Sequence, residues 1–148
     1  MLARRPRWAS FKAELKLDPD SANAAYEIGK LYRTAGELLP TKTYFGTALK
    51  LYPDFPEANL GLGTVLASLD EPAKALKYLE VAVKSDPTDD ATWRQIVQVE
   101  RTLGHKAEQQ AALKTFKALH KKQADGRVQP VRDVTQQVVD PNTNPSHN

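Results

Sequence analysis

At 148 residues, 26% of them charged and 41% hydrophobic, the chain has the length and composition of one folded domain, neither disordered nor membrane-embedded. It contains no cysteine, which excludes disulfides, thiolate metal sites and cysteine nucleophiles, and it has no run of about eighteen apolar residues to span a bilayer. The formal charge of +3 is concentrated at the start, where Arg4, Arg5, Arg7, Lys12 and Lys16 outnumber Glu14; no basic stripe interleaved with aromatics follows, which disfavours nucleic acid as a partner.

The arginines near the start precede no apolar stretch, so they do not form a secretory signal. The cytoplasm is the expected compartment, and a periplasmic or secreted location stays open if the chain is a piece of a longer one. In chain order, apolar residues at spacings of three and four predict helices over Trp8 to Leu17, Ala22 to Ala35 and Pro40 to Leu51. The same reading continues over Pro56 to Leu69, Pro72 to Ser85, Asp90 to Leu103 and His105 to Lys122, giving seven helices and no strand. Turn chemistry sets the boundaries. Asp20 or Ser21, and Thr88 or Asp89, are candidate N-caps, while Pro40, Pro56 and Pro72 suit the first turn of a helix. From residue 123 onward the chain becomes rich in Gly, Pro, Asn, Gln and Thr and reads as a polar, disordered tail. For Val128, Val131, Val134, Val138 and Val139 within it, a solvated linker is the preferred reading and a second docking point the alternative.

The helices recur. Pro19, Pro53 and Pro87 stand 34 residues apart, closing the phrases LKLDP, LKLYP and VKSDP, and ten residues beyond the first two come Gly29 and Gly63. Small residues are expected where antiparallel helices approach closely, Gly29 about Thr41 and Gly63 about Ala75. Ile28, Gly29, Tyr32, Gly36, Phe45, Ala48 and Pro53, then Leu62, Gly63, Leu66, Ala75, Leu79, Ala82 and Pro87, resemble the marked positions of the tetratricopeptide repeat family. The organisation expected is a basic leading helix over 1–21, the second half of an incomplete unit, then repeats over 22–55 and 56–89. A divergent closing repeat over 90–122 and the tail over 123–148 follow. In the closing repeat Val97 replaces the glycine, Glu100 the large apolar residue and Gln109 the small one, so its second helix should sit differently.

The resemblance implies an all-α fold, a right-handed α-solenoid of about three helix-turn-helix repeats plus the leading half unit. It further implies a non-enzymatic adaptor or scaffold whose concave groove, lined by the first helix of each unit, takes a peptide or helix of a partner protein. Carried over position by position, that groove comprises Tyr26, Lys30 and Arg33, then Leu60, Thr64 and Ala67, then Arg94, Gln98 and Arg101. Its four cations around a small apolar patch suit an acidic partner. Some members grip a chaperone's terminal carboxylate, but Tyr26, Lys30, Gly61, Ala91 and Gln95 at the matching places do not reproduce that clamp. The uncovered leading helix raises an alternative, a structural module in which Trp8 and Phe11 meet a second copy or an upstream domain.

Chemistry is not advertised. His105, His120 and His147 are too far apart for a metal-ligand motif, and Leu66 stands where a dinucleotide loop starting at Gly61 needs its third glycine. The pairs Asp70 with Glu71 and Asp89 with Asp90 lie at helix starts, where acids complement the helix dipole. No catalytic residue, cofactor or metal is expected.

Overall fold

A computed structural model describes residues 6–127. Among them the chain forms seven α-helices and no strand: α1 (Arg7–Leu17), α2 (Ala22–Thr34), α3 (Leu38–Leu51), α4 (Pro56–Ser68), α5 (Pro72–Ser85), α6 (Asp90–Leu103) and α7 (Lys106–Arg127). Helix α1 packs on α2, and the rest pair as the hairpins α2/α3, α4/α5 and α6/α7; each hairpin packs on the next, and α4 also touches α6. The result is an all-α solenoid in which every unit buries its apolar face partly against its neighbour.

The turns inside the hairpins repeat with the period of the sequence. Gly36, Asp70 and Gly104, 34 residues apart, all adopt left-handed backbone, with φ of 79°, 61° and 77°. The following N–H groups close each helix the same way: Glu37 N–H donates to Tyr32 O at 2.9 Å, Glu71 N–H to Leu66 O at 2.9 Å and His105 N–H to Glu100 O at 3.0 Å. This six-to-one bond is the Schellman closure, and it explains glycine at two of the three sites. Asp70 occupies the third because a short polar side chain tolerates left-handed backbone better than most.

The turns between hairpins are fastened by side chains. Asn59 Nδ2 donates to Pro53 O at 2.9 Å, and 34 residues on Trp93 Nε1 donates to Pro87 O at 2.9 Å. Asn59 is 1% exposed, and the carbonyls of Pro53 and Phe55 accept from its buried amide nitrogen, which is thereby not left unpaired. Ser21 caps α2 by accepting from Ala24 N–H at 3.1 Å, and Asp89 caps α6 by accepting from Thr92 N–H at 3.2 Å. Pro56 and Pro72 open α4 and α5, where a helix needs no N–H.

Helices α1 and α7 start one residue away from the expected positions, at Arg7 and Lys106, and four other boundaries differ from the sequence reading for physical reasons. Helix α3 begins at Leu38, so Pro40 is its third residue; the first four N–H groups of a helix lack intrahelical acceptors, and proline costs nothing there. Helices α2 and α4 stop one residue early, at Thr34 and Ser68, where the closing turns begin. Helix α7 continues past Lys122 to Arg127, through Gly126, so the stretch expected to start a tail at residue 123 begins as helix. Val128, Val131, Val134, Val138 and Val139, like Arg4, Arg5 and His147, lie outside the described residues.

The core is built on close approach. A Cβ placed on Gly29 would lie 2.5 Å from Phe45 Cδ1, and one placed on Gly61 would lie 2.5 Å from Phe45 Cε2. The two edges of one fully buried ring therefore face two glycines, one on α2 of its own hairpin and one on α4 of the next. Gly29 was expected to face Thr41; Phe45, one turn along α3, is what needs the space. Gly63 meets Leu79, whose Cγ would be 2.7 Å from its Cβ, and the Ala75 carbonyl at 3.2 Å, close to the expected neighbour. In the third hairpin Val97 is 5% exposed in place of a glycine, and Ala112 is 4% exposed, so the small residue sits on α7, three residues beyond the half-buried Gln109. Glu100 is buried there, its carboxylate 2.7 Å from His105 Nδ1, an acid satisfied where the other units place Leu66 and Tyr32.

Candidate functional site

The first helices of the three hairpins carry the nine residues that the sequence singles out. Tyr26, Lys30, Leu60, Thr64 and Ala67 are half-buried, and Arg33, Arg94, Gln98 and Arg101 are exposed. Spacings of four and three keep each trio on one face of its helix, and the contact of α4 with α6 brings two of the faces side by side.

The α2 part is an organised aromatic and charged cluster. The Tyr26 ring stacks on Phe45, centroids 5.5 Å apart, and lies 4.8 Å from the Phe55 ring, so it bridges α2, α3 and the entry to α4. Burial pushes the Tyr26 phenol above its ordinary value, while Lys30 and Arg33 pull it down and Glu57 and Glu27 push it further up. The phenol therefore stays protonated and can donate a hydrogen bond across the physiological range. Lys30 Nζ is 3.2 Å from Glu27 and 5.4 Å from the Tyr26 ring centroid. The Arg33 guanidinium lies 5.9 Å from the Phe45 ring centroid.

Charge around the central trio differs from the sequence picture of cations flanking an apolar patch. Leu60 lines a cleft of about 270 Å³ with Glu57, Asp86 and Asp89, three carboxylates at the junction of α4, α5 and α6. Hydrogen bonds from the Thr88 hydroxyl and N–H hold the Asp86 carboxyl below the usual carboxylate range, so it remains charged. Acidic groups thus collect at the N-terminal ends of α4 and α6. Basic groups sit further along the parallel helices, Arg33 at the end of α2 and Arg101 at the end of α6. Reading acids at helix starts as caps is right for Asp89, but it hides their gathering beside Leu60, which needs the α4/α5 and α6/α7 hairpins to be adjacent. Some of the hydrogen-bonding capacity is already used internally: Thr64 Oγ1 donates to Leu60 O at 2.8 Å, and Arg101 Nη1 approaches Gln98 Oε1 at 3.5 Å.

At the other end, α1 contributes no fully buried residue. Trp8 is 49% exposed with Lys12 Nζ 5.0 Å from its ring centroid, and Phe11 is half-buried. Trp8 and Lys12 line a largely apolar cleft of about 250 Å³ with Leu31 and Tyr32 of α2 and with Ala35, which caps that helix. His120 reaches back from α7 to Asp90, Nδ1 to Oδ2 3.1 Å, and tethers the closing helix to the start of α6. The described residues contain no cluster of three or more His, Cys, Asp or Glu that could hold a metal. No described helix is long and apolar enough to cross a membrane.

Residues 42–90 match the tetratricopeptide repeat family. Among solved structures, MamA superposes with a TM-score of 0.73 at 24% identity, over 80% of this chain and 69% of that one. YrrB, described as a tetratricopeptide repeat protein with an unusual peptide-binding site, superposes with a TM-score of 0.73 at 27% identity, over 80% of this chain and 61% of that one. A further MamA structure gives 0.64 at 25% identity, over 82% of this chain and 66% of that one. These matches span between 61% and 69% of the three neighbours' own lengths. No curated protein matches the chain in sequence.

Proposed function

We propose that this chain, whose residues 42–90 match the tetratricopeptide repeat family, a family of protein interaction modules, is a non-enzymatic adaptor that takes a peptide or helix of a partner protein along the faces of α2, α4 and α6. The observation that carries this reading is the arrangement around Tyr26: a protonated phenol, an exposed arginine and a half-buried lysine over an aromatic platform, on one face of α2. YrrB, alike in fold, is described by its peptide-binding site, which favours the same use of this face.

The charge layout orients the partner. Carboxylates of the bound segment face Arg33, Arg94 and Arg101, a compact apolar side chain covers Leu60 and Ala67, and a basic group meets Glu57, Asp86 and Asp89. Lys30→Glu combined with Arg94→Glu should weaken capture of acidic peptides from an immobilised peptide array by about tenfold or more. The melting temperature should stay nearly unchanged, because Arg94 is exposed and Lys30 only half-buried. Undiminished capture by the double variant would remove the site from this face.

A second reading is favoured by the exposed Trp8 and the apolar cleft beside it: a structural role in which α1 meets a second copy of the chain. Light-scattering mass then reports a dimer that Trp8→Asp or Phe11→Asp dissociates. A monomer at all concentrations leaves the adaptor role alone.

A further inference from the structure

Of the glycines inside helices α2, α3 and α4, three are required by packing and one is not. Gly29, Gly61 and Gly63 each leave no room for a Cβ, whereas a Cβ on Gly46, in the middle of α3, would meet nothing within 4 Å. Glycine in a helix interior is unfavourable relative to alanine, and nothing in the fold calls for it at Gly46. What Gly46 does is lower one wall of a groove of about 500 Å³ between the second helices α3 and α5. Leu49, Leu62, Tyr78 and Val81 line it with apolar surface. Leu62 lies about 200° around α4 from Leu60, so this groove opens on the opposite side of the solenoid from the Tyr26 face.

Charge selects the occupant. Lys50 on α3 and Lys77 on α5 border the groove from its two walls. The neighbouring lysines on the same helices, Lys42 and Lys74, both pair with Glu71, whose carboxyl they hold below its ordinary range, Lys74 foremost. Lys50 and Lys77, in contrast, form no ion pair among the described residues. A trough with an apolar floor and one unmatched cation on each wall complements a helix that carries an apolar stripe flanked on both sides by carboxylates. We propose that the outer groove between α3 and α5, opened by Gly46, is a second docking site for an acidic amphipathic helix of a partner protein. The solenoid then engages two segments at once, one on each face, which multiplies apparent affinity when both belong to one partner.

The test uses the full chain and a synthetic peptide of about fifteen residues with leucines at spacings of three and four between rows of glutamate, together with its lysine-for-glutamate counterpart. The acidic peptide is expected to bind and the basic one not. Amide cross-peaks of Gly46, Lys50, Tyr78 and Val81 are expected to shift in the nitrogen-15 spectrum. Gly46→Trp, which fills open space, and Lys50→Glu with Lys77→Glu should each weaken binding by about tenfold or more. Gly46→Ala should keep binding while raising resistance to denaturant, and in the Lys30→Glu with Arg94→Glu background the shifts of Gly46, Lys50, Tyr78 and Val81 should persist with the same midpoint, which separates this site from the Tyr26 face. Absence of binding, equal binding of the basic peptide, unchanged affinity of Gly46→Trp, or shifts confined to α2 and α6 would each overturn the proposal.

Discussion

Phe45→Ala should lower the unfolding free energy by about 3–5 kcal/mol, the cost of removing a fully buried aromatic ring from a core that cannot close the gap. Phe45 is 0% exposed, stacks on Tyr26, and presents its two edges to Gly29 and Gly61. Those glycines belong to different hairpins, so the ring is both the centre of one hairpin and the contact surface of the next. Losing it should therefore loosen the coupling between units as well as the unit itself, and the denaturation transition should broaden as it moves to lower denaturant. A more specific expectation concerns pairs. In the intact protein Gly29→Ala forces its Cβ to within 2.5 Å of Phe45, and something must move. In the Phe45→Ala background that obstacle is gone, and the same substitution should become favourable by up to about 1 kcal/mol through helix propensity. A double-mutant cycle by denaturant titration measures this reversal of sign; simple additivity of the two substitutions would contradict the packing account.

Gly63→Leu should destabilise the chain by roughly 1–3 kcal/mol through overpacking. Its Cβ would stand 2.7 Å from Leu79 Cγ and 3.2 Å from the Ala75 carbonyl. Leu79 is 0% exposed and cannot swing away, and the carbonyl belongs to the backbone of α5, so the hairpin α4/α5 has to open. Urea titration with no shift in midpoint would show that the two helices do not need to approach as closely as described.

Much of this architecture was legible because it is local. The order and type of the helices follow from apolar spacing, and four of their ends from Ser21, Pro56, Pro72 and Asp89, whose roles as caps and openers depend on a few neighbouring residues. The 34-residue period carried the stacking of hairpins as well, since equivalent prolines and glycines mark equivalent turns. Less visible was Asn59: an amide bonded to the Pro53 carbonyl reads as an ordinary polar residue until Trp93, one period later, is seen donating to Pro87. The run of α7 to Arg127 was missed because Gly126 lowers helix propensity, yet a glycine in the last turn of a long helix is tolerated.

By itself the sequence determined that the chain is a row of helical hairpins and where most of them turn, because hydrogen bonding within a helix and capping at its ends act over a handful of residues. Only the tertiary structure decided what neighbouring hairpins share. It placed one ring between Gly29 and Gly61, gathered Glu57, Asp86 and Asp89 beside Leu60, and left Gly46 facing open space between Lys50 and Lys77. Those outcomes depend on the rotation of each hairpin against the next, which is set by side-chain shape at the contact and is not encoded in the spacing along any single helix.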